Sequence, residues 1–154
     1  MNEAITKIHL ATDHAGFSTK EAAKDHLDAA GYTIVDHGAV SLNEADDYPD
    51  FIHPAAKAVA DDPAAVAIIF GHSGQGEAMV ANRYEYVRAA VYYGKEPEIL
   101  ALSREHNDAN VLSIGAGFVS EEAAITAIEK WLETDFLGAT RHRRRIEKID
   151  DNKQ

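Results

Sequence analysis

The stretch VAIIFGHSGQGEAMVANR, residues 66–83, decides the fold. Val66 to Phe70 is apolar throughout and partly β-branched, the composition of a strand buried on both faces of a parallel sheet. Gly71, Gly74 and Gly76 break that run, and good helix formers follow over 77–83. A strand, a glycine turn and a helix in this order present backbone N–H groups where an anion can be bound. The turn also brings His72, Ser73 and Glu77, so an imidazole, a hydroxyl and a carboxylate base accompany the anion site. Spacing narrows the ligand. Gly71 to Gly76 matches a P-loop, but Glu77 stands where nucleotide phosphates need lysine, and no Ser or Thr follows for magnesium. The dinucleotide order G-x-G-x-x-G is absent as well. The plain alternative is a tight strand-to-helix connection and nothing more.

Towards the amino terminus, 5–12 reads as a strand, 17–30 as a helix closed by Gly31, and 32–36 as a second strand. An acidic loop over 41–47 leads to an alanine-rich helix over 51–60, stopped by Asp61, Asp62 and Pro63. Towards the carboxyl terminus, 87–93 and 111–115 read as strands, with helices over 96–106 and 121–133, the second capped by Ser120. This alternation predicts an α/β fold with a five-stranded, mostly parallel sheet. Ligands of such folds sit beyond the carboxyl ends of the strands. Asp13-His14 after the first strand and the glycine turn after the third belong there, and the polar run from Arg104 to Asn110 is expected there too.

At 154 residues the chain fits one domain with a three-layer core, 1–154, ending in a basic helix or tail from about 138. A net charge of −11 argues against a nucleic-acid partner. Without cysteine there is no disulfide, thiolate nucleophile or cysteine metal site. No signal peptide and no apolar run near the roughly 20 residues of a membrane span is present, so a cytoplasmic protein without membrane partners is expected.

Each polar cluster has a structural alternative. Asp13 can simply cap a helix with His14 exposed, and 106–110 can be a capped turn. His9, His26, His37 and His53 show no paired spacing and read as solvated or packed; no metal site is expected. Arg141, Arg143, Arg144 and Arg145 are four of the seven arginines. On a helix, Arg141 and Arg145 share a face and suit a phosphate, whereas an undocked tail would be merely solvated. Ile146 and Ile149 favour a docked helix.

Together these motifs resemble the ribose-5-phosphate isomerase B family, which includes galactose-6-phosphate isomerase subunits. The resemblance runs through TDHAGF at 12–17, DYPDF at 47–51, the glycine turn followed by MVANR, REHNDANVLSIG at 104–115 and RHRRRIEKI at 141–149. It implies a Rossmann-like three-layer sandwich, no metal or organic cofactor, and a homodimer with shared active sites, or a tetramer. By position it implies that His106 opens the sugar ring with Asp13 assisting. Gly71, His72, Ser73, Gly74, Gln75 and Gly76 would surround the sugar oxygens, Asn107 would bond the substrate, and His14, Arg141 and Arg145 would hold its phosphate. Many members carry a catalytic cysteine where this chain has Phe70; the chain resembles the branch in which the glutamate at 77 is the base. Gly117 stands where the family commonly has a phosphate-contacting arginine, and open volume is expected there for a longer sugar, or for Arg143 or Arg144.

The implied activity is aldose–ketose isomerisation of ribose 5-phosphate to ribulose 5-phosphate through an enediolate. A four- or six-carbon sugar phosphate is the alternative substrate, and a non-catalytic sugar-phosphate sensor the alternative class. Glu77, Asp13 and His106 together speak for catalysis, since a binder needs no base.

Overall fold

The computed structural model describes residues 5–151. Strands β1 (Lys7–Thr12), β2 (Ile34–Asp36), β3 (Ala65–Gly71), β4 (Ala89–Tyr92) and β5 (Val111–Gly115) form one sheet in the order β2-β1-β3-β5-β4. Every pairing is parallel, which sharpens the expectation of a mostly parallel sheet. The apolar run read first is the central strand. All of β3 is buried, paired with β1 from Lys7↔Ala65 to Thr12↔Phe70 and with β5 from Ala67↔Val111 to Gly71↔Gly115.

Side chains alternate across a strand, so β3 divides its residues between two cores. Ile68 and Phe70 meet Leu27, Leu100, Ile128 and Trp131 from α1 (Phe17–Ala29), α4 (Glu98–Asn107) and α5 (Glu121–Glu133). Ala67 and Ile69 meet Ile52, Ala55, Val59 and Ala81 from α2 (Tyr48–Asp61) and α3 (Gln75–Ala81). Each large apolar side chain so buried contributes about 1.5–3 kcal/mol. Helix α2 begins before the expected 51, with Pro49 in its first turn where a missing N–H costs nothing. Strand β4 is shorter than expected because the backbone of Arg88 is taken by a loop: its N–H donates to Asn110 Oδ1 at 2.8 Å. Among the described residues no helix is long and apolar enough to cross a membrane.

Buried polar groups tie the layers. Arg104 lies 4.9 Å over the Trp131 ring and donates to the carbonyls of Ala109 at 2.6 Å and Thr134 at 3.1 Å. This member of the REHNDAN run therefore joins α4 to the start of β5 and the end of α5. Lys20, wholly buried, holds Asp36 at the end of β2 at 2.7 and 2.8 Å. Burial opposes ionisation of Asp36, but bonds from Lys20, Lys24 and the Gly38 N–H outweigh it and keep the carboxyl below its ordinary range.

The arginine run forms a helix, α6 (Thr140–Asp150), packed on α4. Its anchor is His142, buried and stacked on His106 with ring centroids 4.3 Å apart. The isoleucines expected to anchor it do less, for Ile149 is largely exposed. Asp150 adds an ion pair with Arg88 at 3.2 Å.

Candidate active site

The chain leaves β1 for β2 on one side and returns to β3 on the other, so the carboxyl ends of β1 and β3 flank a switch in strand order. There the glycine turn follows β3. Gly71 is required by contact: a Cβ on it would fall on the carboxylate of Glu77, which folds back over the turn. Gly74 takes φ 76° at the start of α3, with Ser113 Oγ donating to its carbonyl at 2.6 Å. A Cβ on Gly76 would strike the Tyr48 hydroxyl. Ser73 Oγ accepts from the Gln75 N–H at 3.3 Å.

Glu77 is 4 % exposed. Burial raises its pKa, its own backbone N–H opposes that, Asp13 raises it further and His72 lowers it. A carboxyl lifted in this way is poised nearer neutrality, where a general base works best. Asp13 and His72 are thus the charged neighbours that Glu77 feels. Asp13 is both buried and a cap: its Oδ1 accepts from the Ala15 N–H at 3.0 Å at the start of the 3-10 turn His14–Gly16. Asp13 thus caps the turn and also acts electrostatically on Glu77.

His14 is part-exposed, and its partner was missed from sequence. Asp46, in the loop before α2, accepts from the His14 N–H at 3.1 Å and from Nδ1 at 2.7 Å. This bond, more than burial opposes it, raises the His14 pKa, with Asp13 and Glu44 adding to the rise. Asp46 immediately precedes the DYPDF segment, and its distance of 32 residues from His14 hides the pairing. Asp13, His14 and Asp46 each bring one ligand-type atom within 4.8 Å of the others, the one such grouping among the described residues. The sequence had shown no such constellation; here the short His14–Asp46 bond already engages the imidazole Nδ1.

Gly117 does not leave open space. A Cβ there would collide with the imidazole of His72, whose ring also lies 5.5 Å from that of Phe118. Nor does Arg143 reach in: its Nε donates to the Gly138 carbonyl at 2.8 Å and its guanidinium sits over Phe136.

The remaining residues lie elsewhere. Helices in a parallel sheet return to the amino edge, so α4 ends at the start of β5 rather than at its carboxyl end. The Asn110 carbonyl accepts from the Ala67 N–H at 3.0 Å and the Asn107 carbonyl from Arg88 Nε at 3.0 Å, beside the starts of β3 and β4. The expectation that Arg104 to Asn110 joins the glycine turn is therefore corrected. From Ala67 to Gly71 alone the strand rises about 13 Å. His106 and Asn107 instead group with α6, where Arg141 and Arg145 lie one turn apart on exposed positions and Arg141 Nε contacts His142 Nε2 at 3.3 Å. His142 itself carried no sequence signal beyond its place within the arginine run. The other histidines are paired after all: His9 with His37 at 2.8 Å, His26 with Glu129 at 2.7 Å, and His53 with the Tyr84 hydroxyl at 2.8 Å.

Known proteins share this fold. The chain is 36% identical over 141 residues to ribose-5-phosphate isomerase B of Mycolicibacterium paratuberculosis, covering 92% of this chain and 87% of that one. It is 36% identical over 145 residues to ribose-5-phosphate isomerase B of Escherichia coli, covering 94% and 95%. Among solved structures, ribose-5-phosphate isomerase B from Mycoplasma genitalium with bound ribulose-5-phosphate superposes with a TM-score of 0.89 at 34% identity, covering 94% and 93%. Residues 8–149 match the family described as Ribose/Galactose Isomerase. On this fold, these motifs and these relatives, the chain belongs to the ribose/galactose isomerase family.

Proposed function

We propose that the protein interconverts ribose 5-phosphate and ribulose 5-phosphate. The observation that carries this reading is Glu77, a buried carboxylate with a raised pKa, folded over Gly71 at the switch point. Isomerisation removes a proton next to a carbonyl and returns it to the neighbouring carbon, work that one carboxylate performs by shuttling. The backbone of residues 71–76, with Ser73, stabilises the enediolate oxygens, and His106 with Asp13 moves protons in ring opening. His14, Arg141 and Arg145 hold the phosphate and thereby fix the reacting carbons near Glu77. Asn107 bonds the sugar, and no metal or organic cofactor is required for this chemistry.

The separation of the two groups supports a homodimer in which α4 and α6 of one copy complete the glycine-turn edge of the other. Turnover of ribose 5-phosphate, measured beside four- and six-carbon phosphosugars, tests the reaction; turnover of none of them supports the sensor instead. Mixing tests the sharing. Glu77→Gln and His106→Asn subunits, each impaired alone, regain about one quarter of native sites when randomly paired in a closed two-fold dimer. No recovery on mixing means that each copy builds its own site.

A further inference from the structure

We propose that Asp46 is a positioning residue for the isomerisation: its carboxylate holds His14 by backbone and ring together, so that Nε2–H is the donor a substrate anion meets. The inference rests on the assignment of this edge to a sugar phosphate and adds a residue to it. Asp46 is built for the task. Its side chain is 9 % exposed, one oxygen takes both His14 bonds, and the other is buried with no hydrogen-bond partner. An ionised carboxylate with a bare buried oxygen is costly unless a cation stands against it. Among the described residues, the group against it is the His14 imidazole, which is exposed enough to carry that charge. The anions around His14 all favour the protonated ring: Asp46 and Glu44 from the loop before α2, and Asp13 from the end of β1. Glu77 and His72 lie beyond Asp13 and act on one another. Fixing Nδ1 also fixes the ring plane, as a carboxylate does for other functional histidines. Charge and aim are thus set by one residue that need not touch the sugar.

The test reads sulfate as a competitive inhibitor, since its charge is constant across the range. Asp46→Asn keeps the shape and removes the charge. At about pH 8 it should weaken sulfate inhibition about 10-fold, and at about pH 6, where an ordinary imidazole is protonated anyway, hardly at all. KM for ribose 5-phosphate should follow the same pattern while kcat changes little. Equal weakening at both pH values overturns the proposal, because a merely structural role has no reason to follow imidazole charge. In the His14→Gln background, Asp46→Asn should add nothing; a further loss there also overturns it. Should Asp46→Asn not fold, nitrogen-15 NMR of the wild-type His14 ring decides: an imidazolium persisting above the ordinary range supports the inference, and an ordinary titration overturns it. If His14→Gln leaves sulfate inhibition intact, the phosphate assignment of this edge fails and the role of Asp46 falls with it. If His14→Gln weakens sulfate and Asp46→Asn does not, Asp46 alone is wrong.

Discussion

The β1–β3 edge and helix α6 carry the candidate chemistry in different materials. At the edge, reactive groups are short and lie against backbone: Glu77 buried over Gly71, Asp13 buried as a cap, Ser73 half-buried against Gln75. On α6 they are long arginines on an exposed face, aligned by one buried histidine stacked on another. A base and an oxyanion site need fixed geometry, which buried backbone supplies. A dianion needs charge and tolerates flexible side chains. The edge holds the buried carboxylate and one imidazole, His14, and α6 holds the arginines, so each lacks what the other supplies.

The largest effect is expected from Glu77→Gln. It should lower kcat by about 10² or more with KM little changed, the size of losing a general base. An equal effect on KM would mean that the edge binds rather than reacts. Next come Arg141→Ala and Arg145→Ala, each expected to raise KM about 10- to 100-fold with a smaller change in kcat, since charge-assisted bonds contribute about 1.5–3 kcal/mol. Unchanged KM for every phosphosugar would return the run to a solvated helix. Third, Gly117→Arg should displace the His72 ring from beside Glu77 and reduce kcat/KM about 10-fold for all sugars; a gain on ribose 5-phosphate would show that His72 moves aside without loss.

Smaller still is the effect of acid on the docking of α6. Burial lowers the His142 pKa, and His106, Arg141 and Arg145 lower it further. A histidine whose folded pKa lies below its unfolded value contributes stability in full above the unfolded value, and loses it as pH falls below. Burial and the His37 neighbour lower His9 in the same direction, and burial lowers His37. Because α6 docks through the His142 stack and the Asp150 ion pair whereas β1 is held by two parallel ladders, proteolysis or amide exchange should show α6 loosening below about pH 6.5 before the sheet does. His142→Phe keeps the stack and removes the titration, so its α6 should stay docked in that range.

The sequence made the edge legible and left the assembly of α6 half hidden, for physical reasons. A five-residue apolar run ending in glycines has few folds open to it, and β3 lies where that run predicts. Asp46 was invisible because its partner is fixed by a tertiary approach of a loop to β1. His142 was masked by arginines whose charge drew attention to the exposed face. The placement of residues 104–110 was open to correction from topology alone: a segment just before a parallel strand lies at its amino end, opposite any loop that follows a strand. Gly117 misled because an absent side chain was read as empty space, when His72 from the neighbouring turn fills it.

The lengths of the strands carry one more consequence. The outer strands β2 and β4 have three and four residues, against five to seven for the inner three. An edge so short offers few unpaired peptide groups as a template, which protects against edge-to-edge aggregation. It also limits how copies could associate. Continuing the sheet from one copy into another would yield few ladder bonds, so a lasting association would draw on helix and loop surfaces, where sequence can vary the fit without disturbing the strand register.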